Sequence, residues 1–408
     1  MKRLLPSARG LLGGTALLLV TLNLANVLHF AFHFVMARLL GPAAYGILAA
    51  LIAMLYILNV AAESVQTVVA RYTSREPNPG RLHGLLRRAL RQGGRAALLL
   101  LAIYLLASIP LSRLLRIPYP VMALFAPSLI GVGLLPICRG LLQGTRRFAA
   151  FGTNALLEAL VKLGLGALLV WLGWGAGGAA AAVGLALSAA FALSFLSLRD
   201  LFRVPEEPAS VEGIYGYSLP VFLVTATIMA FYSLDVLLAR AFFPPIEAGT
   251  YSVASFLAKG ILIGTLPIGR AMFPISTEAA ERQGDRRKVL AGALAILVAC
   301  VLPVLAAFAF YPELLVRLAA GKEYYGAAAI ALPLAAAMSL MAVSQTVLLY
   351  KLSTGRLRHF KLLPLLVLME LGVLALFHGS LAEYAAAVLA LNGVFLLATV
   401  GAAARSPS

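Results

Sequence analysis

The sequence predicts an all-α polytopic membrane protein with about 12 transmembrane helices in two six-helix bundles. Apolar residues make up 62% of the 408 residues and charged residues 12%, and the mean hydropathy is +0.94. Soluble proteins average roughly half apolar and about a quarter charged residues. The composition, the recurrence of long apolar stretches and the distribution of basic residues all favour an integral membrane protein.

Apolar stretches of membrane-spanning length recur along the whole chain. About 20 residues of α-helix cross the roughly 30 Å hydrocarbon core of a bilayer. The stretches are continuous and rich in Leu and Ala, whereas a transmembrane β-barrel needs short strands of alternating polarity, so we expect helices. The predicted spans lie near residues 11–38, 44–70, 96–115, 118–138, 150–173, 177–198, 215–242, 247–272, 289–310, 327–350, 358–377 and 381–402.

Basic residues outnumber acidic residues by 33 to 16 and concentrate in alternate connections between the spans. This is the positive-inside pattern, and with an even number of spans it predicts a cell (inner) membrane protein with both termini in the cytoplasm. The same pattern accounts for the net charge of +17 without a nucleic-acid partner. The basic stretch 81–95 has Leu at helical spacing, and a second interpretation places it on the inner leaflet near anionic headgroups.

The chain is predicted to consist of two halves. Prolines and clustered charges interrupt the apolar pattern after six spans, and six more spans follow. This indicates an N-terminal bundle over 1–199, a cytoplasmic linker over 200–214 and a C-terminal bundle over 215–408. Because each half has an even number of spans, both halves have the same orientation, as in parallel-repeat transporters.

A short motif recurs at the outer end of the first hairpin of each half. An Arg, a helix-breaking pair of Gly or Pro residues and a Tyr occur in this order in residues 38–45 and again in residues 240–251. Gly and Pro interrupt helices, so each motif predicts a turn between two spans. Duplicated bundles in membranes are typical of transporters that handle substrate between the halves.

The sequence lacks the common catalytic and cofactor motifs. It contains no glycine-rich phosphate-binding loop, no HExxH or GxSxG string and no set of Cys and His ligands. We therefore predict no cofactor and no metal. A membrane enzyme of glycan assembly remains an alternative because two His lie in the first span, but the short outer loops favour a protein that is not an enzyme.

Charged residues inside the spans are the candidate functional residues, because a charge at the bilayer centre costs about 2.5–3.5 kcal/mol on insertion scales. The paired hairpins of the two halves carry more basic than acidic residues, which predicts a cationic cavity. Arg forms paired hydrogen bonds with phosphate, so a phosphate or diphosphate group is the expected guest. The predicted substrate-binding residues are Arg38, Arg71, Arg240, Lys259, Arg270, Asn26 and His33.

Carboxylates in the spans are the candidates for ion coupling. For Asp235 the sequence leaves two interpretations open, a structural ion pair with Lys259 or Arg240 and a proton-coupling site. Glu158 and Lys162 are four residues apart on one predicted helix and are expected to neutralise each other. The complete set of predicted coupling residues is Asp235, Glu63, Glu158 and Glu370.

The stretch Ala37–Gly46 (ARLLGPAAYG) resembles the opening motif of the polysaccharide-transporter branch of the multidrug/oligosaccharidyl-lipid/polysaccharide (MOP) exporter superfamily, which includes the O-antigen flippases. Residues 139–148 (RGLLQGTRRF) and 235–251 resemble further parts of that family more loosely. The span count and the linker fit the whole chain. The second turn is longer than the first, and the lack of a thirteenth and fourteenth span argues against the lipid II flippase relatives.

The resemblance implies a V-shaped pair of six-helix bundles that moves a polyprenyl-diphosphate-linked oligosaccharide from the inner to the outer leaflet. Transport would proceed by alternating access, coupled to H⁺ or Na⁺, with Arg38 and Arg240 contacting substrate from their motif positions. The implied partners are membrane lipids, the lipid-linked oligosaccharide, and a glycan polymerase or ligase. The alternative within the superfamily is a cation-coupled multidrug exporter, whose cavity is expected to be more acidic or aromatic.

Overall fold

The computed structural model describes residues 8–208, 219–281, 286–353 and 362–404, and the regular structure in these ranges is helical. The helices are α1 (Ala8–Thr73), α2 (Pro79–Leu114), α3 (Tyr119–Phe125), α4 (Pro127–Gly144), α5 (Phe148–Leu169), α6 (Gly175–Leu198), α7 (Leu219–Phe242), α8 (Pro245–Glu281), α9 (Arg286–Phe310), α10 (Pro312–Ala320), α11 (Gly326–Ser353), α12 (Leu363–Leu376) and α13 (Leu381–Ala404). Short π or 3₁₀ turns lie at Val170–Trp174, Leu201–Arg203 and Lys322–Tyr324.

The predicted all-α polytopic membrane fold is confirmed. Nine helical stretches in the described ranges are long and apolar enough to cross a membrane. Two of them, Leu17–Thr73 and Phe148–Leu198, contain 57 and 51 residues, more than twice the roughly 20 residues that one crossing needs. Each is interrupted by a glycine with positive φ, Gly41 at 68° and Gly173 at 88°. With both arms of these stretches and the shorter helix Leu363–Leu376, the described ranges hold twelve apolar segments.

Helix α2 begins well before the predicted span near 96–115. The Asn78 side chain accepts a hydrogen bond from a backbone N–H of the first turn at 2.8 Å, and Pro79 occupies the first helical position. The 36 residues of α2 extend about 54 Å. Its N-terminal part buries Leu82 and Leu86 in a core shared with Leu141. These leucines therefore pack inside the protein and not into the inner leaflet.

The chain divides into two compact units, residues 1–39 with 58–217 and residues 40–57 with 218–408. In the first unit, α5 packs along α6 and also contacts α1 through Ala25, Ala155 and Ala159. The small alanine side chains at these positions allow the helix axes to approach closely. The predicted organisation into bundles 1–199 and 215–408 stays a prediction.

In the second unit, the two recurring motifs lie against each other. Each forms the predicted turn: α1 breaks at Gly41, and α7 ends shortly before α8 begins at Pro245. A Cβ placed on Gly46 would lie 3.0 Å from the Cα of Gly249, and a Cβ on Gly249 would collide with the carbonyl oxygen of Pro42. The glycines at these two positions thus permit backbone contact between the start of α8 and residues 40–57.

The described part of the predicted linker, residues 200–208, folds back onto α2 in the first unit. The backbone N–H of Glu207 donates to the carbonyl oxygen of Gly80 at 3.1 Å, and Asn78 Nδ2 donates to Glu207 Oε2 at 2.7 Å. His83 Nδ1 lies 2.8 Å from the carbonyl oxygen of Val204. This segment is therefore attached to the first unit, and residues 209–214 of the predicted linker lie outside the described ranges.

Candidate functional site

A buried ion pair joins α7 and α8 in the second unit. Lys259 Nζ lies 2.9 Å from Asp235 Oδ1 and 3.3 Å from Asp235 Oδ2. The side chains are 5% and 0% exposed. Of the two interpretations that the sequence leaves open for Asp235, the structural pairing with Lys259 is thus present, and a coupling role stays a prediction.

Side chains on the same face of α8 donate further hydrogen bonds to the Asp235 carboxylate. Asp235 Oδ2 accepts from Ser255 Oγ at 2.6 Å and from Tyr251 Oη at 3.0 Å. Tyr251, Ser255 and Lys259 are spaced four residues apart, so they lie above one another on one helical face. Tyr384 of α13 donates to the backbone carbonyl of Asp235 at 2.8 Å. The buried charge is therefore held by three donors on α8.

A second carboxylate lies within electrostatic reach of the pair. Glu370 of α12 is 3% exposed, and its Oε2 atom has no hydrogen-bond partner in the described part of the chain. Both Asp235 and Lys259 interact electrostatically with it. Lys259 Nζ also lies 4.9 Å from the centre of the Tyr232 ring, a cation–π distance. We call Asp235, Tyr251, Ser255, Lys259 and Glu370 the second-unit cluster.

The first unit contains a separate charge cluster between α4 and α5. Arg139 Nη2 donates to Glu158 Oε2 at 2.6 Å, and Arg139 Nε donates to Asn154 Oδ1 at 2.9 Å. The side chains of Arg139 and Glu158 are 17% and 13% exposed. Asn154 Nδ2 in turn donates to the carbonyl oxygen of Ala190 on α6 at 2.6 Å. The amide thereby links three helices of the unit.

Lys162 lies one turn beyond Glu158 on the same face of α5 and is 8% exposed. Its Nζ atom lies 4.8 Å from the centre of the Phe32 ring on α1. Gly166 allows this approach, because a Cβ at that position would be 2.7 Å from a Phe32 ring carbon. His29, one turn before Phe32, interacts electrostatically with Lys162, Glu158 and Arg139. We call Arg139, Asn154, Glu158, Lys162 and His29 the first-unit cluster.

The two clusters have opposite charge balances. The first-unit cluster holds two basic side chains, Arg139 and Lys162, with one carboxylate, Glu158. The second-unit cluster holds two carboxylates, Asp235 and Glu370, with one ammonium group. Within the described ranges, no three His, Cys, Asp or Glu side chains come together as a metal site.

Comparison with known proteins gives the fold a context. The family described as polysaccharide biosynthesis protein matches residues 11–280, which is more than half of the chain. The chain belongs to the polysaccharide biosynthesis protein family. The resemblance inferred from Ala37–Gly46 is thereby confirmed. No curated protein matches this sequence.

Solved transporter structures share the fold of this polysaccharide biosynthesis protein. An inward-facing multidrug resistance MATE family transporter of the MOP superfamily has a TM-score of 0.72 at 14% identity, covering 95% of this chain and 96% of that one. The lipid II flippase MurJ in an inward closed conformation has a TM-score of 0.73 at 12% identity, covering 96% of this chain and 88% of that one. A MOP superfamily transporter from Pyrococcus furiosus has a TM-score of 0.59 at 15% identity, covering 96% and 95%. These likenesses show a MOP-type transporter fold.

The predicted substrate-binding residues of this family member lie in different environments. Arg38, Arg71 and Asn26 are exposed, as is Glu63 of the predicted coupling set. Arg240 is 2% and His33 5% exposed, so both are buried. Arg270 lies on α8, but its side chain is outside the described part of the structure. In this structure Arg38, Arg71 and Asn26 are thus accessible at the surface, whereas Arg240 and His33 are packed inside the protein.

Arg139, Asn154 and Tyr251 of the two clusters are not predicted from the sequence. Arg139 was assigned to a connection, since the predicted span ended at residue 138, whereas α4 continues to Gly144. Its position inside α4 gives Glu158 a partner other than Lys162. The hydroxyl groups of Tyr251 and Ser255 do carry a signal, the four-residue spacing that ends at Lys259.

Proposed function

We propose that this protein is a flippase that moves a polyprenyl-diphosphate-linked oligosaccharide from the inner to the outer leaflet for the assembly of cell-surface polysaccharide. The observation that carries the proposal is the combination of polysaccharide biosynthesis family membership with a fold shared with MOP transporters, a lipid II flippase among them. A lipid-linked sugar must cross the membrane between synthesis inside and use outside, and a transporter fold supplies that step.

The exposed basic residues are proposed to contact the substrate directly. Arg38 ends the first arm of α1 and Arg71 lies in its last turn, and both are exposed. A guanidinium group forms two parallel hydrogen bonds with a phosphate, so these residues, with Arg270, are suited to a diphosphate. Arg240, Lys259, Asn26 and His33 complete the proposed set. Lys259 serves it indirectly, because its ammonium group is already paired with Asp235.

Ion coupling is assigned to the second-unit cluster. One ammonium group can balance only one of two buried carboxylates, and H⁺ or Na⁺ is a small cation that can balance the other. Binding of the ion would compete with Lys259 for Asp235 and so change the contact between α7 and α8. Glu63 and Glu158 are weaker candidates, since Glu63 is exposed and Glu158 is held by Arg139. The proposed cycle alternates access between the two leaflets.

The proposal also covers the membrane location, the cofactors and the partners of the protein. We place the protein in the inner membrane with both termini in the cytoplasm, where the basic connections lie. It needs no cofactor, performs no enzymatic reaction and binds no nucleic acid. Its partners are membrane lipids, the lipid-linked oligosaccharide and a glycan polymerase or ligase that uses the translocated product.

A multidrug exporter is the second candidate, because a MATE family transporter shares the fold with a TM-score of 0.72. The two functions are separated by testing both substrates in the same sealed vesicles. Ethidium uptake would represent the exporter, and movement of a fluorescent polyprenyl-diphosphate oligosaccharide would represent the flippase. The proposal expects the lipid to move and ethidium to stay outside. Ethidium uptake without lipid movement would overturn it.

A further inference from the structure

The first-unit cluster holds a surplus of buried positive charge. Glu158 is the single acidic residue of the sequence between positions 77 and 199. Arg139 already forms an ion pair with it at 2.6 Å. Lys162 is 8% exposed and lies about 21 Å along α5 from Phe148, near the middle of the span. Lys162 also interacts electrostatically with Glu158, so two cations at this depth share one carboxylate.

The Lys162 ammonium group makes no hydrogen bond to the described part of the chain, and its near contact is the face of the Phe32 ring. An aromatic face attracts a cation but leaves its N–H donors unused. The neighbouring His29 Nδ1 atom is also buried without a hydrogen-bond partner in the described ranges. Buried polar groups normally have hydrogen-bond partners, so an ammonium group and an imidazole nitrogen without one at the same place suit a polar ligand.

We propose that Lys162, supported by His29 and Arg139, is an anion-binding site for the diphosphate group of the substrate. The inference rests on the proposed flippase function. An oxyanion with several acceptor oxygens would accept hydrogen bonds from the Lys162 ammonium group, and from His29 in the tautomer that carries its proton on Nδ1, and would balance the surplus charge of the cluster. The site adds Lys162, His29 and Arg139 to the substrate-binding residues proposed above. An anionic phospholipid headgroup shares the phosphate chemistry, and the experiment separates it from a diphosphate.

Binding is measured by isothermal titration of the purified full chain in detergent, with farnesyl diphosphate as the probe. Lys162→Met keeps the length of the side chain and removes the charge, and Lys162→Arg keeps the charge. Arg91→Met removes an exposed charge on α2 and is the control. We expect the Kd to rise about tenfold or more in Lys162→Met, to change less than about threefold in Lys162→Arg, and to stay unchanged in Arg91→Met. An unchanged Kd in Lys162→Met would overturn the inference.

The unfolding midpoint of Lys162→Met distinguishes an anion-binding role of Lys162 from a structural role. Since Lys162 is in excess over the acidic residues, the unfolding midpoint of Lys162→Met should equal or exceed that of the wild type. A lower midpoint, or a variant that does not fold, would assign Lys162 a structural role and contradict the proposal. Dihexanoyl phosphatidylglycerol is titrated in parallel, and Lys162-dependent binding of this lipid without binding of farnesyl diphosphate would also contradict it.

Leaflet exchange distinguishes this inference from the proposed function. If the wild type exchanges lipid and Lys162→Met keeps both the wild-type exchange and the wild-type diphosphate affinity, the site is overturned and the flippase proposal stands. If diphosphate binding depends on Lys162 but the wild-type protein exchanges no lipid, the site is supported and the flippase proposal is contradicted.

Discussion

Lys259 and Asp235 form an ion pair that links α8 to α7, with 2.9 Å between Nζ and Oδ1 and with both side chains removed from solvent. Three donors on one face of α8 surround the carboxylate. A buried pair of this kind contributes little to stability relative to an apolar pair, but removal of one partner leaves an uncompensated charge. Separation of α7 from α8 at this point would therefore be costly.

Asp235→Asn and Lys259→Met are each expected to lower the free energy of unfolding by about 3 kcal/mol or more, because each leaves one buried charge unpaired. The double variant Asp235→Asn/Lys259→Met should recover much of the loss. Denaturant unfolding in detergent, followed by intrinsic fluorescence, measures all three. Simple addition of the two losses in the double variant would show that the residues are not coupled.

Glu370→Gln should leave the protein folded and abolish the H⁺ or Na⁺ dependence of transport. The substitution keeps the shape of the side chain, and the Oε2 atom that it replaces has no hydrogen-bond partner in the described ranges. The rate of lipid exchange is measured across pH and sodium gradients. Glu313→Gln, at an exposed carboxylate of α10 outside the proposed coupling set, is the control and should retain the wild-type ion dependence. If Glu370→Gln retains it as well, the coupling role of Glu370 is wrong.

Gly249→Ala should lower the free energy of unfolding by about 1–3 kcal/mol, since the new methyl group would collide with the carbonyl oxygen of Pro42. Gly264 lies on the same helix with no atom within 4 Å of an added Cβ. Gly264→Ala is therefore the matched control, expected to be neutral or stabilising by up to about 1 kcal/mol. Equal effects of the two substitutions would contradict the contact between the recurring motifs.

The stability contributed by Asp200 should depend on pH. Arg147 donates to both carboxylate oxygens of Asp200, at 2.7 and 2.5 Å, and these hydrogen bonds lower the pKa of Asp200 below its ordinary value. A carboxyl group with a lowered pKa in the folded state stabilises the folded protein. The stabilisation is complete above the unfolded pKa of about 3.9 and is lost as the pH falls through the folded pKa.

Because the Asp200 side chain is 58% exposed, Asp200→Asn should cost at most about 1 kcal/mol at pH 7. The difference between Asp200→Asn and the wild type should shrink to nothing in acid below the folded pKa. Thermal unfolding midpoints at neutral and acidic pH measure it. A difference that persists unchanged in acid would mean that the charge of Asp200 is not its source.

Much of the fold is predictable from the sequence because span length and apolar composition are local properties. The turns of the two motifs follow from Gly41 and Pro245 in the same way. The start of α2 was missed because its first turns are basic, and their leucines become buried through a core shared with α1, α4 and the chain around Leu198 and Leu201. The contact between Gly46 and Gly249 joins two distant segments, and a repeated motif alone does not reveal that its copies meet.

The candidate site was predictable only in part. Asp235, Lys259 and Glu370 stand out as intramembrane charges, but whether Lys259 or Arg240 pairs with Asp235 depends on the packing of α7 against α8. Glu158 interacts electrostatically with Lys162, as their spacing predicts, but its ion pair at 2.6 Å is with Arg139, a residue on another helix. Since Lys259 and Arg240 are buried, their replacement by Ala is expected to reduce stability as well as transport. Arg38 is exposed, so Arg38→Ala gives a clearer test of substrate contact than either of those substitutions.

The most direct test of the flippase account is leaflet exchange by the purified wild-type protein in sealed vesicles. A fluorescent polyprenyl-diphosphate oligosaccharide is placed in both leaflets, and a membrane-impermeant quencher reports the fraction that reaches the outside. The account predicts protein-dependent exchange that is lost in Arg38→Ala and kept in Arg91→Met. Absence of protein-dependent exchange under proton gradients and under sodium gradients would contradict it.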